Sequence, residues 1–400
     1  MSQAIAEAAA LPEQHHPAVH DSLWLYLLFA LLATAGFFYI NIMSAIVDGL
    51  IVGLGFSNAE AGTVGSANIY GASVGSLCAV FLVRHIEWRP ALAAILGALL
   101  GLDLLSILVS DANTMIALRA LHGVFGGLSV GIVYSVMARL HSPDRAFGML
   151  LMLQFGLGGL GVMLLPGLVP EYGARILFLV LAGLTSCALL AMLAVPQGLR
   201  RNRSRAELDA LPADYRRLTA ALVLLALFLF QAGNMALAAF IIRLGEHVAL
   251  QREFIGQALG WATWIGAAGA GLVTVTGTRF GRLKPLLIAG LLTLSGTAGF
   301  YWSEAAPVYF IANVGTALTW SFVVPYLFGM LSRLDGSGRL AALGGFVSKC
   351  GLATGPLAAG WLLHNDGFDR LISVSIVLLA LSTVAAVASA RQIDQLEKPA

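Results

Sequence analysis

The sequence predicts an all-α integral membrane protein, with twelve transmembrane helices in two pseudo-symmetric six-helix bundles. Three observations carry that reading. Of the 400 residues, 58% are hydrophobic and only 11% charged, whereas about a quarter of a soluble domain is charged. Cutting the chain at charged or Pro/Gly-rich breaks leaves twelve apolar runs, each near the ~20 residues that a helix needs to cross a bilayer core. Loop and helix sequences of the first half also recur in the second at a nearly constant offset.

The runs lie near 23–50, 60–83, 90–110, 113–138, 146–169, 174–195, 218–242, 254–277, 285–302, 307–331, 340–363 and 370–390, numbered here as spans 1 to 12. Most connections are short. The exception is PQGLRRNRSRAELDALPADYRR, 196–217, which is polar, basic and central, and reads as a linker. The domain plan is therefore a tail (1–22), a bundle (23–195), the linker (196–217), a second bundle (218–390) and a tail (391–400). The first run is too long for a signal peptide and follows an acidic stretch, so it is expected to remain as span 1.

Orientation follows from the Lys and Arg residues. With the amino terminus in the cytoplasm, the cytoplasmic loops, linker and tails hold most of the 23 basic residues, among them Arg84, Arg89, Arg139, Arg145, Arg279, Arg282 and Lys284. The opposite side collects acids such as Asp48, Glu60, Asp111, Glu246 and Asp366. Both termini are thus expected inside, in the cytoplasmic (inner) membrane of a cell.

The halves repeat each other. VRHIEWRP (83–90), after span 2, aligns with TRFGRLKP (278–285), after span 8, and QFGL (154–157) of span 5 aligns with KCGL (349–352) of span 11. RLHSPDR (139–145) aligns with RLDGSGR (333–339). A duplicated unit with parallel halves places a substrate site between them near the bilayer midplane.

At these residues the chain resembles the major facilitator superfamily over essentially its whole length. GTRFGRLKP (277–285) looks like that family's signature loop, here in its second-half copy. LRALHGVFGG (118–127) looks like its span 4 motif, and GLATGPLAAG (351–360) like its recurrent Gly-Pro helix. The first-half loop departs from the pattern, with Val83 and Ile86 where the family has aspartate and glycine, and Thr278 replaces the aspartate in the second copy. Those departures bear on the family's usual inward-gate salt bridge. The resemblance implies a secondary transporter that works by alternating access, with spans 1, 2, 4, 5, 7, 8, 10 and 11 lining a cavity. It also implies a gating role for Arg84, Arg89, Arg279, Gly281, Arg282 and Lys284.

Ionisable groups inside a span are functional candidates by default. Four qualify: Asp103 in span 3, Arg119 and His122 in span 4, and Lys349 in span 11. Arg119 and His122 share a helix face, and the polar or small stripe continuing through Gly126 and Ser129 suits a cavity wall. The alternative for Arg119 is to snorkel to the surface. His122 is open between a proton relay, since its ordinary pKa is about 6.5, and a bond to a neighbouring carbonyl. Lys349 sits mid-span, so it must point at water, an acid or substrate; the alternative to a substrate or coupling role is an ion pair with Asp103 or Asp48. Gln154 is its symmetry mate. Further polar and aromatic candidates at cavity depth are Tyr134 in span 4, Gln231 and Asn234 in span 7, Trp264 in span 8, and Asn313 and Tyr326 in span 10. Amides in hydrocarbon need partners.

Cys78, Cys187 and Cys350 fall inside apolar runs at no metal-ligand spacing and read as packing residues. GLGGLG (156–161) lies inside a span and follows no strand, so it is no phosphate loop. No cofactor, metal site, nucleic-acid surface or reactive cluster is read from the chain, which argues against an enzyme. With cationic Arg119 and Lys349 on opposite halves and amide and aromatic walls, the expected activity is proton-coupled uptake of a small organic anion, aromatic carboxylates included, by a monomer. A proton-driven exporter of drugs or metabolites is the alternative, although span 5 lacks the Gly-Pro pair associated with drug/proton antiporters. A non-transporting membrane sensor ranks behind both.

Overall fold

The computed structural model describes residues 22–83, 85–137, 140, 143–195, 213–276, 279–334, 339–363 and 367–396. Among them it forms thirteen α-helices and one short 3-10 turn, Phe300–Trp302, with no strand. Helices α1 (Leu23–Asn41) and α2 (Met43–Leu54) together make span 1. The first half continues with α3 (Asn58–Leu82), α4 (Trp88–Ser106), α5 (Ala112–Met137), α6 (Pro143–Tyr172) and α7 (Arg175–Ala194), which are spans 2 to 6. The second half holds α8 (Ala213–His247), α9 (Arg252–Thr276), α10 (Leu283–Gly299), α11 (Ala306–Leu334), α12 (Arg339–Leu362) and α13 (Phe368–Leu396), which are spans 7 to 12. The linker expected over 196–217 lies mostly outside the described residues, as do Arg84 and Arg139.

Ten of these helices are long and apolar enough to cross a membrane on their own. The other three are α2, which only completes span 1, and α9 and α12. Small and polar residues lower the hydropathy of α9 and α12, the two helices of the second half that pack on α6 and α3 of the first. Local signals start several helices. Ser57 and Glu60 form a capping box at α3, and Asp111 accepts from the Thr114 amide (2.8 Å) ahead of α5, each satisfying free N-terminal amides.

The duplication is visible in packing. In the first half span 1 packs on spans 4, 5 and 6, span 2 on span 4, and span 3 on spans 4 and 6. Each pairing recurs between the corresponding spans six positions later. The halves then meet through span 2 on span 11 and span 5 on span 8, two contacts that the same duplication relates. One feature absent from the sequence reading is also repeated. Span 1 breaks at Ile42 (φ −112°, ψ 24°), and α8 kinks at Phe240 (φ −111°, ψ 15°).

Three buried apolar clusters show how the halves sit. One is confined to the first half and runs through Leu28, Leu32, Leu96, Val133 and Leu150. A second is confined to the second half, through Val223, Leu227, Leu327, Met330 and Leu379. The third is shared and includes Ile46, Leu50, Phe240, Ile242, Ile255 and Tyr309. The shared cluster lies at the end of the bundle far from the chain termini, and the separate clusters lie at the termini end. The halves are therefore fused at the far end and parted at the other.

Close backbone approach makes the far-end seal possible. A Cβ at Gly62 of α3 would overlap the carbonyl oxygen of Pro356 in α12, so only glycine permits this contact between the halves. Asn58 Nδ2 donates to the Leu363 carbonyl (3.4 Å) at the same end.

Candidate functional site

Where the halves part, they enclose a cavity of about 310 Å³, formed by α1, α2 and α6 from the first half and by α8, α9 and α11 from the second. Its polar groups are Asn41, Ser44, Gln154, Thr263, Asn313, Thr316 and Ser321, set among Met43, Phe155, Val162, Met235 and Trp320. No charged side chain is among the lining residues. Both backbone breaks abut this wall: Asn41 and Met43 flank the break of span 1, and Ile241 follows the kink at Phe240.

Of the residues singled out from the sequence, Gln154 and Asn313 line the cavity. Asn41 Nδ2 donates to the Gln154 carbonyl (3.3 Å), which ties spans 1 and 5 at this depth. The Gln154 side-chain nitrogen is buried and has no hydrogen-bond partner among the described residues. Asn313 Nδ2 donates to the Tyr309 carbonyl (2.8 Å), one turn back on its own helix. Gln231 stands just behind the wall: it donates to Ser348 (2.7 Å) and accepts from the indole of the cavity residue Trp320 (2.7 Å). Trp264 bridges the halves, its indole nitrogen donating to the Gly156 carbonyl (3.2 Å).

Three other candidates turn elsewhere. Asn234 donates to the Phe230 carbonyl (2.9 Å) of its own helix and is buried. Tyr134 packs edge-on against Phe147 within the first-half cluster. Tyr326 is buried in the second-half cluster, beside Phe322.

Arg119 departs furthest from the expectation of a cavity wall or a snorkelling side chain. It is fully buried and donates to Asp103 (2.8 Å), to the Leu102 carbonyl (3.0 Å) and to the Ser106 hydroxyl. Its guanidinium also lies 5.1 Å from the Phe178 ring centre. His122 shares its face as predicted, but that face meets α4 and α3: Nε2 lies 3.3 Å from Asp103, and Nδ1 lies 2.9 Å from Asn68 Nδ2. Asn68 also donates to the Arg119 carbonyl (3.2 Å). A Cβ at Gly123 would overlap the Asn68 carbonyl, and this tight crossing brings the amide within reach. The group is a buried polar cluster inside the first half. The reason for the difference is simple: a buried guanidinium needs a counter-charge more than it needs a cavity, and Asp103 lies on the neighbouring span.

Lys349 projects from α12 towards the first half. Its ammonium donates to Ser76 of α3 and lies 5.6 Å from the Phe37 ring centre of α1, one turn before the cavity residue Asn41. Among the described residues no carboxylate lies within ion-pair range of it. The alternative partners are engaged elsewhere: Asp103 holds Arg119, and Asp48 holds Arg252 at 2.8 Å. Tyr70 and Thr354 join the same two helices by a hydroxyl pair at 2.8 Å.

The Asp48–Arg252 pair was not anticipated, since Asp48 read as an acid near a span end. Asp48 is fully buried in α2, and Arg252 opens α9, so the pair crosses between the halves at the sealed far end. Arg252 also donates to the Pro166 carbonyl (2.9 Å) and pairs with Glu246.

The loop residues at the termini end are bound within their own halves. Arg89 donates to the Val195 (2.7 Å) and Met192 (3.3 Å) carbonyls at the end of α7. In the other half Asp394, near the end of α13, accepts from the amides of Arg282 (2.8 Å) and Leu283 (2.9 Å) and pairs with the Arg282 side chain (3.4 Å). Gly281 takes φ +70° to bring those amides round, a conformation that glycine adopts at little cost. Arg279 lies against Phe280, and Lys284 is exposed. In each half the loop after the second span is therefore tied to the sixth.

The sequence profile of the Major Facilitator Superfamily matches residues 25–222, and the fold beyond that stretch repeats the same six-helix unit. The chain belongs to the major facilitator superfamily. A curated relative, an uncharacterized MFS-type transporter, YceJ, of Bacillus subtilis (strain 168), is 26% identical over 219 residues, covering 51% of this chain and 54% of the relative. That match spans about half the length of the relative. Among solved structures, the nucleoside transporter NupG superposes at a TM-score of 0.69 with 14% identity, over 92% of this chain and 99% of its own. A bacterial homolog of the human lysosomal transporter Spinster, in an inward-facing and unoccupied conformation, superposes at 0.70 with 12% identity, over 94% and 98%. At such identities the likeness shows the fold. This facilitator-family chain is a multi-pass membrane protein, and its central cavity lies between the two halves.

Proposed function

We propose that this transporter carries a small organic carboxylate, taken up together with a proton by alternating access across the cytoplasmic membrane. One observation carries the substrate class. Among the described residues Lys349 is an intramembrane cation with no acid partner, whereas Arg119, Asp103, Asp48 and Arg252 are all engaged in ion pairs. An unpaired ammonium in hydrocarbon is costly, so a mobile anion is the counter-charge that it lacks. The expected pair of cations on opposite halves loses Arg119, and one charge suits a single carboxylate. The largely apolar cavity begins at Asn41, one turn of α1 beyond the Phe37 ring that Lys349 faces, and it fits the organic body. The amide nitrogen of Gln154 offers a donor from the other half.

Coupling follows from the same lysine. The loaded carrier holds an ammonium beside a carboxylate and is locally neutral. The empty carrier returns with least cost if Lys349 has given up its proton, so anion and proton move together. The parted termini end and sealed far end correspond to an inward-facing state if the termini are cytoplasmic. The test is uptake by purified protein in proteoliposomes, assayed with a panel of carboxylates under an imposed pH gradient. Gradient-driven accumulation of one carboxylate, abolished by protonophore, supports the reading. Transport of uncharged solutes only, or a rate indifferent to pH, overturns it.

A further inference from the structure

A second hollow lies outside the transport path. On the outward face of the second half, an apolar groove of about 340 Å³ runs between α9, α10 and α11 at the termini end. Phe280, Ile288 and Leu292 line it and are 57%, 59% and 51% exposed. Its one hydroxyl, on Thr319, is turned back onto the Gly315 carbonyl (3.0 Å) of its own helix. Away from Lys284 at its mouth, the walls therefore offer an occupant nothing but hydrocarbon. From Lys284 to Leu292 the groove follows α10 for about 12 Å at 1.5 Å per residue, close to the depth of one leaflet of a ~30 Å core.

The groove ends in positive charge. Lys284 is one of the lining residues, and Arg279 stands 5.8 Å from the ring centre of Phe280, which lines it as well. Among the described residues neither cation has a carboxylate within ion-pair range, and the nearby loop acceptor Asp394 is engaged by Arg282 and Leu283. A lysine whose stem lies along apolar surface extends its ammonium to the headgroup level, where basic residues at a membrane face attract anionic lipid.

We propose that this groove is a binding site for an anionic phospholipid of the leaflet at the termini end. One acyl chain lies along α10 against Ile288 and Leu292, and the phosphate is met by Lys284 and Arg279. The geometry favours a lipid over a soluble partner, because the apolar walls sit at membrane depth. It favours an anionic lipid over a zwitterionic one, because two cations stand at the mouth and no carboxylate among the described residues pairs with either.

Native mass spectrometry of the full chain in detergent, with phosphatidylglycerol or phosphatidylcholine added at equal concentration, tests this. The wild type is expected to retain phosphatidylglycerol several-fold better and to gain several degrees in melting temperature from it alone. Lys284→Gln combined with Arg279→Gln should remove the preference, while Ile288→Trp, which fills the groove, should reduce retention of both lipids. Inorganic phosphate should give no thermal shift, which separates a lipid site from a phosphate site. Equal retention of the two lipids by the wild type, an unchanged preference in the double variant, or a shift with phosphate alone would each overturn the proposal. Should Ile288→Trp elute as aggregate, the wild type and the charge variant decide the question between them.

Discussion

Arg119 and Asp103 form an ion pair at 2.8 Å in which both side chains are fully buried. The pair joins spans 3 and 4 inside one half, and neither residue lines the cavity between the halves. Its consequence concerns folding first and transport second. Breaking a buried pair leaves an uncompensated charge, which costs about 3–5 kcal/mol, whereas replacing both members with apolar groups is often tolerated. Arg119→Ala should therefore cut the yield of monodisperse protein and its melting temperature sharply. Arg119→Met together with Asp103→Leu should restore much of both. The check is fluorescence-detected size exclusion with a thermal ramp. A single variant as stable as the wild type would show that the pair contributes nothing.

Lys349 behaves oppositely. Among the described residues its ammonium has only Ser76 and the Phe37 ring as partners, so Lys349→Gln removes a costly charge and orphans none of their acids. Expression and thermal stability should hold or rise. Accumulation of the carboxylate driven by a pH gradient should fall by tenfold or more, while some exchange of substrate across the membrane persists. Uptake by the variant that still follows the pH gradient would place the coupling at another group.

At the far end the Asp48–Arg252 pair crosses between the halves. Arg252→Gln leaves Asp48 buried without its partner and weakens the seal, which shifts the population towards the state open at that end. The readout is thiol labelling of Leu363→Cys, in a background lacking the three native cysteines, with a membrane-impermeant reagent. Labelling should rise several-fold in the Arg252 variant. An unchanged rate would mean that the shared apolar cluster closes this end without the pair.

The Gly62–Pro356 approach offers an independent handle on the same seal. A side chain at Gly62 overlaps the Pro356 carbonyl only when the halves are closed at the far end. Gly62→Leu should fold, give the same rise in Leu363→Cys labelling, and lose transport. Normal transport in Gly62→Leu would require the two helices to part by more than a side chain during the cycle without cost.

Much of this molecule is a direct consequence of its sequence. The length of each apolar run, the two-fold repeat and the small residues of spans 8 and 11 are local or periodic signals. Hydrophobicity and helical reach suffice to turn them into twelve spans in two matched halves. Gln154 and Asn313 also met the cavity where the repeat and their amide chemistry put them. The shared face of Arg119 and His122 was legible for the same reason, since helical spacing alone sets it.

Which neighbour that face meets was decided only by tertiary structure. An ionised side chain in a low-dielectric interior takes the nearest counter-charge, and nearness between spans is fixed by packing that no single span encodes. So Arg119 turned to Asp103, Asp48 reached Arg252 from a helix 204 residues away, and Asp394 closed the loop at Arg282. The kinks at Ile42 and Phe240 are of the same kind, for neither Pro nor Gly marks either break. Lys349 is what remains when those pairings are made: an intramembrane lysine without an acid among the described residues, facing a ring one turn of α1 from the cavity residue Asn41.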